Sequence, residues 1–556
     1  MSLFVKKPLD QIMAQAADSE KGLKRTLGAG NLVALGIGAI IGAGLFVRTA
    51  AAAGQAAGPA VTISFIVAAI GCAFAGLCYA EFASMIPIAG SAYAYSYVTM
   101  GELIAWIIGW ALIMEYALGA ATVAIAWSEY LNNLLGGGIP YEWCHSPFEI
   151  SQDGVRGIMN VPAIVILLLL TLLLIKGTQE SAFINAIIVF VKVAIVLLFI
   201  FIGWQFIKPE NYSPYLIPAD AAPVLNTDGT VKNSYDSLFR HGWGGILGGA
   251  GIVFFAFIGF DAVSTAAQEA KNPKRDMPIG ILGSLAVCTI LYILFGHVLT
   301  GVANWRDFAD PAKGGEASVV YAISEFMPGY GWLATAVTIA ILAGFSSVIL
   351  VMLMGQSRVF YTMSSDGLIP KVFSDLHPRF KTPYKANMIL LVFVGLFAAF
   401  VPIHVAGDLT SFGTLFAFVL VSLGVWLLRK KDPGLNRPFK TPLVPVVPIL
   451  GALICLAMII SLDAQTLKAA LLWMVIGLDI YYLYSQTRSK LFNRDSLRST
   501  SFATQTFPII AITIVMIGVA VFSGDKLSIF IAASQFLFSI FILFNQQSIS
   551  QQNTSK

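Results

Sequence analysis

The sequence predicts an all-α membrane protein whose helices cross the bilayer many times. Apolar residue types make up 57% of the 556 residues and charged types only 12%, whereas soluble proteins spend about a quarter of their residues on charge. Long apolar runs recur along the whole chain, and they are continuous rather than alternating, which argues against a β-barrel. Backbone groups in lipid must be satisfied within their own segment, so the runs predict helices.

Fourteen apolar runs come close to or exceed the roughly 20 residues that one bilayer crossing needs. They are 28–50, 60–86, 102–130, 160–176, 181–206, 244–267, 279–302, 331–360, 387–402, 408–428, 444–462, 467–486, 507–523 and 526–544. The predicted parts of the chain are an N-terminal segment, five spans, a long loop, five more spans, four C-terminal spans and a polar tail: 1–27, 28–206, 207–243, 244–428, 429–544 and 545–556.

The charge distribution predicts a cell-membrane protein with both termini in the cytoplasm. If the N-terminus lies inside, 24 of the 34 Lys and Arg residues fall in cytoplasmic segments, as the positive-inside rule requires. The first 27 residues carry acidic side chains and no apolar core, so they do not read as a signal peptide. They predict a short surface helix that precedes a basic cluster.

Several classes of function are disfavoured by what the sequence lacks. A net charge of +4 is too small to indicate a nucleic-acid partner. The chain has no Gly-rich phosphate loop and no catalytic constellation, and its adjacent Cys144 and His145 do not match zinc-ligand spacing. We therefore expect no enzyme activity, no metal and no cofactor; the sequence does not predict the oligomeric state.

The first span carries four glycines, at 36, 38, 42 and 44, where Leu and Ile should dominate. Glycine weakens a helix by about 1 kcal/mol relative to Ala. One explanation is close packing between helices through small residues. The other is a segment unwound near Gly42, whose free backbone groups bind a ligand, since irregular backbone at this depth must line a cavity.

The sixth span offers a second candidate break, at Gly259. A break there makes Asp261 an N-terminal residue of a second half-helix, where a carboxylate accepts hydrogen bonds from free N–H groups. Direct contact between Asp261 and a substrate is the alternative.

The two candidate breaks lie five spans apart, so each opens a five-helix unit. An odd number of spans gives the two units opposite orientations, which is the arrangement of inverted-repeat transporters. Broken helices offer N–H groups to a carboxylate and C=O groups to an ammonium. An α-amino acid carries both groups, so the pattern points to zwitterionic substrates.

Four stretches resemble the amino acid–polyamine–organocation superfamily, and within it the cationic amino-acid transporter family of bacterial-type permeases. They are GIGAIIGAGLFV, YAEFASMIPIAGSAYAYSY, FFAFIGFDAVSTAAQEAKNPKRDMPIGI and GQSRVFYTMSSDGLIPKVFSDLHPRFKTP, at 36–47, 79–97, 254–281 and 355–383. The resemblance implies a ten-helix, LeuT-like core of two inverted repeats, followed by four extra helices, that works by alternating access.

The resemblance also assigns substrate contacts to backbone groups at the two breaks. The implied contacts are the carbonyls of Ile40, Ile41, Phe255, Ala256 and Ile258 and the amides of Ala43 and Gly44. Ala43 departs from the family pattern, in which a hydroxyl residue is frequent. One hydrogen bond to the substrate carboxylate is therefore expected to be missing or replaced by water.

Lys192 lies about halfway across the fifth span, without an opposite charge nearby in sequence. Burial lowers the pKa of a lysine, sometimes by several units. The side chain could therefore exchange a proton near neutral pH, and similar transporters use a lysine at this place for proton coupling. A lysine that stays charged and bonded to carbonyls is the structural alternative.

Two further residues give opposite indications about the substrate side chain. Glu115, in the third span, could favour a cationic group, or it could be a protonated residue bonded within the bundle. Phe345, which resembles a pocket residue of the eighth span, would shorten the cavity and favour small or neutral amino acids, or it could be ordinary packing. Glu81, Glu102 and Glu269 lie near span ends and are expected at interfaces or gates.

The sequence thus predicts a secondary transporter that imports L-amino acids with a proton. An uncoupled facilitator or exchanger of cationic amino acids is the first alternative. A channel or receptor built from a helical bundle is the second, but it should show polar stripes along several helices. Here the polar residues concentrate around the two breaks.

Overall fold

The computed structural model describes most of the chain. The described residues are 5–8, 27–86, 91–151, 153–176, 182–225, 231–265, 270–310, 318–380, 382–491, 509–511, 513–518 and 531–540. The predicted surface helix before the first span, the polar tail and Glu269 lie wholly or largely outside these residues.

Helices occupy every apolar run that the sequence predicts, within the described residues. The principal helices are α1 (Ala29–Ile40), α2 (Val61–Met85), α3 (Ser91–Thr99), α4 (Glu102–Leu134), α5 (Val161–Lys176), α6 (Ala182–Gly203), α7 (Gly242–Val253), α8 (Ala262–Thr265), α9 (Pro273–Val302), α10 (Trp305–Ala309), α11 (Ser318–Phe326), α12 (Gly331–Ser365), α13 (Tyr384–Phe400), α14 (Ile403–Lys431), α15 (Val446–Ile460), α16 (Ala464–Ile480) and α17 (Gln486–Arg488). Residues 509–511, 513–518 and 531–540 are also helical.

Seven helices are long and apolar enough to cross a membrane, by length and composition, in the part of the chain that is described. Shorter apolar helices, α1, α5 and α13 among them, occupy other predicted spans. Apart from one short hairpin, the described part of the chain is therefore that of a helical, multi-pass membrane protein, and the total of fourteen crossings stays a prediction.

The third predicted span forms the centre of the bundle. In the most apolar stretch of α4, 83% of the chain is buried inside the protein. In the corresponding stretch of Ile187–Phe206, which includes most of α6, only 33% is buried. Helix α4 packs against α12 and α14, while α9 packs against α1 and α2. The core therefore surrounds α4, and α6 has one face that is left for lipid.

The two ends of the bundle can be told apart by the N-terminal residues. Lys7 contacts Asp366, which follows α12, and the Glu102 amide at the start of α4 donates to the Val5 carbonyl. We call this end the inner face and the opposite end the outer face. The outer face carries a two-stranded antiparallel hairpin, β1 (Val224–Leu225) and β2 (Val231–Asn233), within the loop between α6 and α7.

Candidate functional site

The first predicted span is interrupted in its middle. Helix α1 ends at Ile40, and Ile41 is extended, with φ −73° and ψ 103°. The chain becomes helical again in π form at Gly44–Arg48, continues as α-helix over Thr49–Ala52 and returns to π form at Ala53–Ala57. We call residues 44–57 the outer segment. The interruption falls within the glycine run, where the sequence predicts an unwound backbone.

The sixth predicted span is interrupted as well. Helix α7 passes into a 3-10 turn at Phe254–Phe257, Ile258 is extended, and Gly259 has φ +110°. A Cβ atom on Gly259 would lie 2.8 Å from the Ala39 carbonyl oxygen. Glycine is needed here both for the left-handed conformation and for the close approach to α1.

The two interruptions touch each other. A Cβ atom on Gly44 would lie 2.2 Å from the Ala256 Cα, a distance that no real side chain could hold. Gly42 faces α12, where a Cβ would stand 3.2 Å from a Val348 methyl group. Because glycine has no side chain, the two irregular backbones can meet in the middle of the bundle.

The Tyr292 hydroxyl on α9 joins the two interruptions. Its oxygen lies 3.0 Å from the Ile40 carbonyl oxygen and 2.9 Å from that of Ala256, and the residue is fully buried. One hydroxyl proton serves one of these carbonyls at a time. Sequence reasoning missed Tyr292, although a tyrosine in an otherwise apolar span was an available signal.

Lys192 on α6 is bonded to the end of α1. Its ammonium donates to the carbonyls of Gly38, at 2.9 Å, and Ile41, at 3.1 Å, and its side chain is buried. The last carbonyls of a helix lack intrahelical partners, and the negative end of the helix dipole attracts a cation. Gly344 makes the room, because a Cβ there would lie 2.7 Å from the Lys192 Cε.

Protein donors already occupy most of the carbonyls that the resemblance assigns to the substrate. Ile40 and Ala256 contact Tyr292, Ile41 accepts from Lys192, and the Phe255 carbonyl accepts the Ile258 amide at 3.2 Å. Ala43 lies buried between the interruption and the outer segment. A substrate at these positions would have to share or replace these bonds.

Two buried carboxylates lie on the inner side of the interruptions. Asp261 accepts a hydrogen bond from the Tyr116 hydroxyl at 2.9 Å, and its backbone carbonyl accepts the Ser264 amide. The Glu115 side chain is fully buried, beside the Thr414 hydroxyl and the Asp261 carboxylate. The predicted capping contact of the Asp261 carboxylate stays a prediction.

Phe345 and Glu115 lie at different depths. The Phe345 ring packs on Tyr130, with 5.7 Å between ring centroids, and on Phe46 of the outer segment, at 6.3 Å. Glu115 precedes Tyr130 by 15 residues on the continuous helix α4, which is about 22 Å at 1.5 Å per residue. The structure therefore brings Phe345 to the outer segment, and Glu115 lies about four helical turns nearer the inner face along α4.

Charged pairs tie elements together at both faces. Arg48 of the outer segment is paired with Asp408 on α14, and both side chains are buried. At the inner face, Asp366 accepts from Lys7 at 2.6 Å and from the Tyr93 hydroxyl at 2.8 Å. The sequence indicates none of these pairings.

The two described glutamates that were expected at interfaces or gates also lie in polar contacts at the inner face. Glu81 is paired with Arg429 and Arg437, and it accepts the Thr441 amide at 2.8 Å. Glu102 accepts hydrogen bonds from three hydroxyls, those of Tyr97, Tyr481 and Ser489.

Comparison with known proteins gives a consistent set of relatives. A family described as amino acid permease matches residues 27–478. The chain is 44% identical over 493 residues to a branched-chain amino acid permease of Bacillus subtilis, covering 88% of this chain and 99% of that protein. It is 41% identical over 495 residues to a methylthioribose transporter of the same organism, with 88% and 99% covered. A vacuolar cationic amino acid transporter of Arabidopsis thaliana is 32% identical over 435 residues, which cover 78% of this chain and 68% of that protein.

Proposed function

Because this chain belongs to the amino acid permease family, we propose that it imports L-amino acids together with a proton by alternating access. Like its relatives, the chain is a membrane transporter and not an enzyme. In the proposal, the substrate binds where the two interrupted backbones meet. Its ammonium shares the carbonyls that Tyr292 holds in place, each of which has a second lone pair, and its carboxylate takes amides at the start of the outer segment.

The bond between Lys192 and α1 is the observation that carries the proposed proton coupling. Hydrogen bonds made by a charged group contribute about 1.5–3 kcal/mol each, and Lys192 makes two of them at the C-terminal end of α1. Loss of the proton weakens both bonds and frees α1 to move. A membrane potential of 100 mV supplies about 2.3 kcal/mol per charge, which is comparable in size.

The proposed movement uses the charged pairs at the two faces as alternating closures. Arg48 and Asp408 close the outer face, and Lys7 and Asp366 close the inner face. We propose that the inner face is cytoplasmic, that fourteen helices cross the membrane, and that spans one to five and six to ten form the two inverted repeats. One pair must open while the other stays closed.

The proposed substrates are neutral amino acids with apolar side chains. The aromatic rings of Phe345, Phe46 and Tyr130 meet beside the interruptions, and Phe295 contacts Phe46 at 5.8 Å. An apolar side chain gains free energy there, while a guanidinium would lose its hydration. The name of the relative with 44% identity, a branched-chain amino acid permease, points the same way.

The test is uptake of leucine by proteoliposomes under an imposed pH gradient. We expect accumulation that collapses with a protonophore and is lost in Lys192→Met, while counterflow exchange of leucine continues. Lys468→Met, in α16 and away from both interruptions, is the matched control. Leucine accumulation without any proton gradient would show that transport is not driven by protons. An unaltered response to the gradient in Lys192→Met would show that Lys192 does not couple transport to protons.

An uncoupled exchanger of cationic amino acids is the second candidate. The buried Glu115 carboxylate, which lies beside a second buried carboxylate, that of Asp261, is the observation that favours it. A thermal-shift screen with leucine, arginine and methylthioribose separates the possibilities. Stabilisation by arginine that disappears in Glu115→Gln would support the second candidate, and stabilisation by leucine alone would support the first.

A further inference from the structure

The outer segment ends in a backbone carbonyl that its own helix cannot satisfy. Residues Ala53–Ala57 form a π-helix, in which the Gly58 amide donates to the Ala53 carbonyl, five residues back. The helix ends there, because Gly58 turns away with φ +60° and ψ −146°. Residue 59 is proline, which has no N–H group. Gly54 therefore needs a donor from elsewhere in the protein.

The loop between α6 and α7 supplies that donor. The Tyr235 hydroxyl donates to the Gly54 carbonyl at 2.7 Å, and the side chain of Tyr235 is 1% exposed. The Asn233 amide lies 3.4 Å from the same carbonyl oxygen and 3.5 Å from that of Gln55, so its contribution is weaker. The main contact between this loop and the carbonyl is thus one buried hydroxyl bond.

The surroundings hold Tyr235 in place against the outer segment. Its ring meets the buried Trp305 of α10 edge to face, with 5.7 Å between centroids. Gly54 itself is pressed against α10, since a Cβ there would lie 2.8 Å from the Ala309 nitrogen. A cavity of about 280 Å³ between the hairpin and α10 borders Tyr235 and Trp305, so the loop has room to shift on this side.

The outer segment is also the part of the chain that must move to open the outer face, if alternating access is correct. It is packed closed in this structure, because Arg48 is paired with Asp408 and most of residues 44–57 are buried. A bond from a loop to the far end of this segment opposes that movement.

We propose that Tyr235 is a positioning residue for transport: its hydroxyl fastens the outer segment to the loop between α6 and α7, and this bond breaks each time the outer face opens. Because a neutral hydrogen bond contributes about 1 kcal/mol, its loss should shift the closed-to-open equilibrium about fivefold towards the open state. The proposal rests on alternating access but adds a residue and a loop to which the proposed substrate contacts assign no part.

The experiment measures how fast a cysteine at Ala50 reacts with a membrane-impermeant maleimide in proteoliposomes. Ala50 is buried in the closed outer segment, and the five native cysteines are buried, so background labelling is low. We expect Tyr235→Phe to raise the labelling rate about fivefold. Tyr212→Phe is the matched control, because that hydroxyl of the same loop bonds to His297 on α9 instead.

A second substitution in the same loop tests the hydrogen bond itself. Asn233→Ala removes the weaker donor to the Gly54 carbonyl and leaves the Tyr235 ring in place, so it should raise labelling by less than Tyr235→Phe does. If Tyr235→Phe folds poorly by size-exclusion chromatography, Asn233→Ala becomes the primary variant. Unchanged labelling in Tyr235→Phe, or a larger increase in Asn233→Ala than in Tyr235→Phe, would overturn the proposal.

Failure of alternating access gives a different result. Leucine added to the Ala50→Cys protein should change its labelling rate if the outer segment moves during transport. If leucine has no effect on the Ala50→Cys protein, whatever Tyr235→Phe does, that result would count against alternating access. A leucine effect with no response to Tyr235→Phe would remove Tyr235 alone.

The kinetics provide an independent readout. An outer face that opens more easily should lower the KM for outside leucine in Tyr235→Phe, while the maximal rate falls or stays constant because the return step is not helped. A purely structural role would instead reduce the amount of active protein and leave KM unchanged.

Discussion

Replacing Tyr292 by Phe should loosen the two interrupted backbones without changing the shape of the core. The ring of Tyr292 stays, but the hydroxyl that lies 3.0 Å from the Ile40 carbonyl and 2.9 Å from the Ala256 carbonyl is removed. A buried polar group left without its partner costs about 1–3 kcal/mol. The site that we propose for the substrate would lose this much preorganisation.

The expected loss of substrate affinity follows because the freed carbonyls make the substrate-free site less ordered. A loss of about 1–3 kcal/mol corresponds to a roughly 5- to 150-fold weaker substrate affinity. The assay is leucine binding to purified protein, followed by scintillation proximity, together with thermal unfolding in detergent. We expect weaker binding and a lower unfolding temperature in Tyr292→Phe.

The matched control is Tyr79→Phe. Tyr79 is equally buried, but its hydroxyl has no hydrogen-bond partner within the described part of the chain. Its removal should therefore leave the unfolding temperature and the leucine affinity nearly unchanged. Equal effects of the two substitutions, or tighter leucine binding in Tyr292→Phe, would refute the reasoning that the hydroxyl prepares the site.

Three further results are expected. Arg48→Ala strands the buried Asp408 carboxylate, so it should cost about 3–5 kcal/mol of stability in detergent unfolding, and adding Asp408→Leu should recover much of that loss; no recovery would contradict the pairing. Gly259→Ala forces a side chain into φ +110°, 2.8 Å from the Ala39 carbonyl oxygen, so leucine uptake should fall sharply while a folded protein is still recovered; uptake at the original rate would argue against the close approach. Burial raises the pKa of the Cys144 thiol to about 11, so its iodoacetamide labelling, followed by mass spectrometry, should be slow at pH 7 and rise about tenfold per pH unit up to that value; fast labelling at neutral pH would contradict the burial.

Features that depend on neighbouring residues in sequence were accessible without coordinates. The continuous apolar runs predicted helices, and a helix occupies each run within the described residues. The glycines at 42 and 259 marked two regions in which the helices are interrupted. Lys192 stood out because a charge inside an apolar run must find partners, although the sequence did not reveal which carbonyls these are.

Contacts between distant parts of the chain could not be predicted in the same way. Arg48 and Asp408 are 360 residues apart, and neither has a local pattern that indicates the other. Glu115 and Phe345 were both expected near the substrate by resemblance, yet the length of α4 sets them at different depths. The Tyr235 hydroxyl bonds to a carbonyl 181 residues earlier in the chain, and no local pattern indicates that contact.

The sequence by itself determined that the chain is a helical membrane protein with two weakened helices and a lysine buried among apolar residues, because hydrophobic periodicity and glycine content act locally. Only the tertiary structure decided which backbone carbonyls meet Tyr292, Lys192 and Tyr235, because those bonds depend on how helices from opposite ends of the chain cross. Helix packing sets these crossings, and it depends on the shapes of many side chains at once.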